Sequence, residues 1–173
     1  MNNLIIFVEG PDDLNFFSNI FEPLFIKDFE NIKILTYGGK TTKSVNNYVK
    51  SIRAMEDKLI IQADYDNSPC YTNKIEKLLE KYRRLIKEDV IISKKMIEGW
   101  YIAGLNIKVQ RDIKLKKVIT NTNDLDKNQF NSIIPDGKSR SDIMKEMLNK
   151  YNLECACVQN ISMDYFCKKW LSD

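Results

Sequence analysis

Histidine is absent from the 173 residues. Its absence removes every mechanism that needs imidazole as base, nucleophile or ligand, from Ser-His-Asp triads to HExxH zinc sites and histidine-based nucleases. The four cysteines, Cys70, Cys155, Cys157 and Cys167, have the spacing of neither a zinc ribbon nor a CxxC redox pair. They read as reduced thiols, mostly small core residues. No apolar run approaches the ~20 residues of a membrane span. The first such run, Leu4 to Val8, ends at Glu9 and is too short for a secretory signal. The expectation is a soluble, cytoplasmic protein with no membrane partner. Charge is also scarce in one sense: 27 basic against 24 acidic residues leave a net charge of only +3. A case for nucleic acid therefore has to come from where charge is placed. The chemistry left open is that of carboxylates, lysine, hydroxyls and oxygen-bound metal.

The length suits one domain with at most a short appendage. Leu4 to Val8 is short, apolar on both faces and β-branched, which predicts a buried parallel strand. Pro11 suits the first turn of a helix carrying Leu14, Phe17 and Phe21 at helical spacing. Ile32 to Thr36 predicts a second strand, ended by the turn signal Gly38-Gly39. Val45, Tyr48, Val49, Ile52 and Met55 trace an amphipathic helix. Leu59 to Ala63 reads as a third buried strand running into Asp64-Tyr65-Asp66. Ile75, Leu78, Leu79, Tyr82, Leu85 and Ile86 form the clearest helical stripe, with Asn73 and Glu76 spaced as a capping box. Val90 to Ser93 is a fourth strand, and Ile97 to Ala103 a short helix. Alternation of strand and helix predicts an α/β fold: a mostly parallel sheet of about four strands flanked by helices over residues 1–106. Residues 107–173 are expected to form a C-terminal α+β extension packed on the same core. Within it, Ile107 to Ile119 reads as a strand or hairpin arm, and Ser139 or Ser141 as the cap of a helix. Leu153 to Val158 reads as a last strand and Ser162 to Leu171 as a last helix.

In such sheets ligands sit outside the carboxyl ends of the strands. Glu9 and Asp13 follow the first strand, Asp64 and Asp66 the third, and Glu98 the fourth a few residues on. In extended backbone Asp64 and Asp66 point to one face. Converging carboxylates repel one another unless a cation is present, and hard oxygen donors select Mg²⁺ or Mn²⁺, one ion or two. Four of the five acids also have an ordinary structural use. Asp13 can cap a helix, Asp64 and Asp66 can form turns beside Ser68-Pro69, and Glu98 can be a solvated helix charge.

Val8-Glu9-Gly10-Pro11-Asp12-Asp13 after one short hydrophobic strand, with Asp64-x-Asp66 after another, resembles the Toprim domain of topoisomerases, bacterial primases, small RNA maturases and OLD-family nucleases. Ile97-Glu98-Gly99-Trp100-Tyr101 resembles the later acidic motif of the OLD-like branch and of small stand-alone Toprim-like proteins. The resemblance spans about residues 4–104. It implies a Toprim-like (Rossmann-like) core and a metal-dependent nuclease that hydrolyses phosphodiester bonds in DNA or RNA. Glu9, Asp13, Asp64, Asp66 and Glu98 would be the metal ligands, with Glu9 doubling as the base that activates water. Asn67-Ser68-Pro69 departs from the third acid and glycine of many Toprim domains. The chain lacks the region that holds the topoisomerase tyrosine and the accessory domains of primases, which removes both readings. OLD-like nucleases carry an ATPase in the same chain. No G-x-x-x-x-G-K-[ST] loop is present here, so the resemblance implies a separate ATPase partner and a setting such as phage defence. A non-catalytic module that binds metal or phosphate, and a nucleotidyl-transfer or nucleotide-hydrolysing enzyme, stay open as alternatives.

The resemblance also implies a downstream lysine that stabilises charge on the cleaved phosphate. Lys138, after Asp136-Gly137 and before a serine-capped helix start, is the first candidate; Lys40, after Gly38-Gly39, is the second. Lys108, Arg111, Lys114, Lys116 and Lys117 make the densest basic stretch. It suits either tracking of a nucleic-acid backbone or a lysine-protected edge strand. Trp100 and Tyr101 suit either base stacking or the core.

Overall fold

A computed structural model of the chain describes residues 2–66 and 68–171. By backbone contacts the chain divides into two compact units, Met1–Ile92 and Ser93–Asp173.

The first unit is built on a four-stranded parallel sheet in the order β2-β1-β3-β4, with β1 at Asn3–Val8, β2 at Asn31–Thr36, β3 at Lys58–Asp64 and β4 at Val90–Ser93. β1 pairs in parallel with both neighbours, Val8 opposite Thr36 and Phe7 opposite Ile61. Central placement accounts for its composition: Leu4, Ile6, Phe7 and Val8 are all fully buried, as expected of a strand covered on both faces. The crossovers are helical. Pro11 opens α1 (Pro11–Phe16), which runs through a π-helical segment, Phe17–Phe21, into α2 (Glu22–Phe25). The wider π turn changes which residues face inward. Phe16 joins Phe17, Phe21 and Phe25 in full burial, while Leu14, expected on that stripe, is only half-buried. Edge-on packing such as Phe16 against Phe21, with centroids 5.7 Å apart, closes this layer.

On the other face lie α3 (Thr42–Ala54) and α4 (Tyr71–Lys81). Val45, Val49, Ile52, Leu78 and Tyr82 share a cluster there with Phe7, Leu59 and Ile61. α4 differs from its expected span at both ends. Cys70, not Asn73, is its N-cap, with Sγ accepting from the Asn73 N–H. The helix stops at Tyr82, which is extended, and Arg84 follows at φ +69°. Leu85 and Ile86 continue the apolar spacing but lie beyond the helix; Leu85 is still buried, while Ile86 is 48% exposed.

The second unit is helical among the described residues apart from Ser93 at the end of β4: α5 (Ile97–Ala103), α6 (Ile107–Asp112), α7 (Lys127–Ile133), α8 (Arg140–Asn149), α9 (Leu153–Gln159) and α10 (Ile161–Trp170). Every residue of α5 is buried. Two expected strands are helices instead. Within 107–119, Asn106 Oδ1 caps α6 by accepting from Val109 N–H at 3.0 Å. Buried Gln110 then stitches the following turn, donating to Ile119 O and accepting from Ile119 N–H, both at 2.8 Å. Over 153–158, Asn152 Oδ1 caps α9 by accepting from Cys155 N–H at 2.7 Å. A capping asparagine just upstream starts each helix. Ser139 caps α8, as its position suggested. None of the described helices is long and apolar enough to cross a membrane.

Candidate active site

Glu9 leaves β1 at the carboxyl end of the sheet. The ladder extends one step past the strand, with Tyr37 N–H donating to Val8 O and Gly38 N–H to Glu9 O, each at 2.9 Å. Gly38 is required here for closeness rather than for the turn alone. A Cβ at that position would stand 2.2 Å from Glu9 O. The Glu9 side chain is half-buried, and its Oε1 accepts from the Tyr37 hydroxyl at 3.0 Å. Burial pushes the Glu9 carboxyl above its ordinary value. The Tyr37 hydrogen bond and the Lys74 charge pull it down, the Asp66 charge pushes it up, and a backbone hydrogen bond from Asp64 pulls it down. Burial first, and then the Glu9 charge, raise the Tyr37 phenol far enough that it remains a donor at any physiological pH.

Asp64 ends β3 and is buried, with Oδ1 accepting from Gln62 Nε2 at 3.2 Å. Extended backbone does not carry on from it to Asp66. Asp66 sits at φ +51°, a left-handed conformation that Asp tolerates better than most residues. The extended backbone expected across Asp64-Tyr65-Asp66 therefore does not hold at Asp66. The turn brings Asp66 towards Glu9 by another route and into an ion pair with Lys74 at 2.9 Å. Asp13 Oδ2 accepts from Gly10 N–H at 3.0 Å, a capping contact at the start of α1.

Glu9, Tyr37, Asp66, Ser68, Lys74, Lys77, Leu78 and Lys81 line one open cavity of about 400 Å³. Lys74, Lys77 and Lys81 are not among the residues singled out from the sequence. Their i, i+3, i+7 spacing beside the apolar stripe of α4 was the available signal.

Among the described residues no group of three or more Asp, Glu or Cys side chains is gathered closely enough to form a metal cage. The hard oxygens of Glu9 and Asp66 do share the cavity. Mg²⁺ is commonly held by one or two carboxylates together with waters and substrate phosphates. The donor set fits that mode and does not fit a closed all-protein site.

The second unit holds the remaining candidates. Glu98, near the start of α5, is buried, and Arg140 Nη2 donates to its Oε1 at 2.8 Å. Glu98 Oε2 is also buried and has no hydrogen-bond partner among the described residues. The Arg140 guanidinium lies over the Phe130 ring, 4.8 Å from its centroid. Arg140, two residues past the lysine chosen from the sequence, thus makes the buried contact. Lys138 is exposed in the turn that closes on Pro135 O. Lys40 is exposed in the turn after β2. Lys108, Arg111, Lys114, Lys116 and Lys117 are all exposed on α6 and the turn after it, and Lys116 pairs with Asp136. Trp100 and Tyr101 are fully buried, and Trp100 Nε1 donates to Ser162 Oγ at 2.9 Å, so both are core residues.

No family model and no curated protein matches the chain. Among solved structures it is similar to the C-terminal region of the Burkholderia pseudomallei OLD protein, with a TM-score of 0.58 and 15% identity over 99% of this chain and 100% of that one. At that identity the likeness is one of fold. It takes in residues beyond 104, where the motif resemblance ends.

Proposed function

We propose that the chain is a metal-dependent nuclease that hydrolyses phosphodiester bonds in DNA or RNA at the cavity beside Glu9 and Asp66. One observation carries the reading: two strand-end acids, a buried phenol and three lysines line a single cavity at the carboxyl edge of a parallel sheet. The OLD-like fold supports it. A divalent ion bound by Glu9 and Asp66 would supply positive charge to the scissile phosphate and acidify a bound water. Glu9, whose carboxyl burial pushes above its ordinary value, is suited to take a proton from an attacking water. Tyr37 fixes the orientation of the Glu9 carboxylate by donating to Oε1. Lys74 holds Asp66 towards the cavity and adds charge where the phosphate would sit. The test is incubation of purified protein with end-labelled DNA and RNA in Mn²⁺ or Mg²⁺. Cleavage that stops with EDTA is expected; intact substrate under both ions counts against the reading.

A further inference from the structure

We infer that the cavity-facing side of α4 is a phosphate-binding wall, with Lys77 and Lys81 meeting successive phosphates of one nucleic-acid strand beyond the phosphate that sits by Lys74. The inference deepens the nuclease reading and rests on it for the choice of a polymeric strand as ligand. All three lysines line the cavity that holds Glu9 and Asp66. They are spaced to fall on one side of the helix. Seven residues of α-helix separate the first from the last, about 10 Å of rise, which reaches more than one phosphate.

The three differ in state, and the difference sets an order along the wall. Lys74 is largely buried, with its side chain 14% exposed, and is committed to Asp66. It sits where the acids are. Lys77 and Lys81 are exposed. The Lys81 ammonium stands 5.1 Å from the centroid of the Tyr82 ring, and Tyr82 packs edge-on against Tyr37 at 5.9 Å. Tyr37 in turn donates to Glu9. The outer lysine is thus linked, through Tyr82, to the phenol that donates to the Glu9 carboxylate. A strand lying along α4 would present one phosphate beside Glu9 and Asp66 and its neighbours to Lys77 and Lys81. The acids at one end and the lysines along the side make the cavity directional: only a ligand with several phosphates satisfies the whole wall.

Binding in EDTA separates this inference from the nuclease reading, because it needs no turnover. Fluorescence anisotropy of a labelled single-stranded oligonucleotide is measured against salt for wild type, Lys77→Gln/Lys81→Gln, and Lys114→Gln/Lys116→Gln/Lys117→Gln. The α4 variant is expected to bind at least about 10-fold more weakly, with the slope of log K against log salt reduced by about 1.4. Lysine acetylation of the wild-type protein, which needs no variant to fold, should show Lys77 and Lys81 protected by the oligonucleotide. An α4 variant that binds like wild type overturns the inference, as does unprotected Lys77 and Lys81 under saturating oligonucleotide. Complete competition by a millimolar mononucleotide overturns the multi-phosphate wall in favour of a nucleotide pocket. Loss of cleavage with this binding intact would count against the nuclease reading alone.

Discussion

The Tyr37 hydroxyl lies 3.0 Å from Glu9 Oε1 and 3.1 Å from the Gln62 carbonyl oxygen. One phenol just past β2 therefore ties down the acid at the end of β1 and the backbone of β3. A buried donor shared by two acceptors is costly to remove, because both acceptors then lose a partner in a low-dielectric site.

Tyr37→Phe should lower stability by about 1–3 kcal/mol in urea denaturation. It should also move Glu9 further up, since that hydrogen bond is the largest of the influences that pull the carboxyl down. The acidic limb of the pH–rate profile is then expected to shift to higher pH.

Much of this arrangement is legible in the residues themselves. β1 and β3 are continuous apolar runs, so burial on both faces and parallel pairing follow from composition, and Glu9 and Asp64 follow from where those runs stop. Tyr37 is not legible in the same way. Its role depends on the register Val8 opposite Thr36, which places it beside Glu9, and register is a property of the assembled sheet. Asp-x-Asp directly after a strand predicts extended backbone at Asp66, yet it turns to φ +51°. The α4 lysines stand beside a strong apolar stripe, and nothing in their own spacing marks which strand-end acid they will meet. In the second unit, the asparagines at 106 and 152 cap helices over two segments expected to be strands.

The raised Glu9 carboxyl makes stability depend on pH with a defined sign. Its folded value lies above its unfolded one, so the protonated form favours the fold. The contribution is complete below the unfolded carboxylate range and is lost as pH rises through the folded value. Glu9→Gln removes that loss while keeping an acceptor for Tyr37. In metal-free buffer, its melting temperature relative to wild type should rise across this window, by roughly 1–3 °C at neutral pH. A constant difference from acid to neutral pH would contradict the assignment.

Arg140 and Lys138 should separate cleanly. Arg140→Ala leaves the buried Glu98 carboxylate without its ion-pair partner, and a loss of about 3–5 kcal/mol is expected in denaturant. Glu98→Gln in the same background should recover part of it. Lys138→Ala, at an exposed turn, should change stability by less than about 0.5 kcal/mol.

The central claim is that the cavity beside Glu9 cuts phosphodiester bonds rather than merely binding them. Cleavage of an end-labelled strand in Mn²⁺, measured for wild type and Glu9→Gln at saturating substrate with affinity followed separately in EDTA, tests it most directly. Cleavage by wild type, reduced roughly 10²-fold or more in Glu9→Gln with affinity in EDTA unchanged, is the predicted result. Equal cleavage by both proteins, or tight binding by wild type without any cleavage, would contradict it.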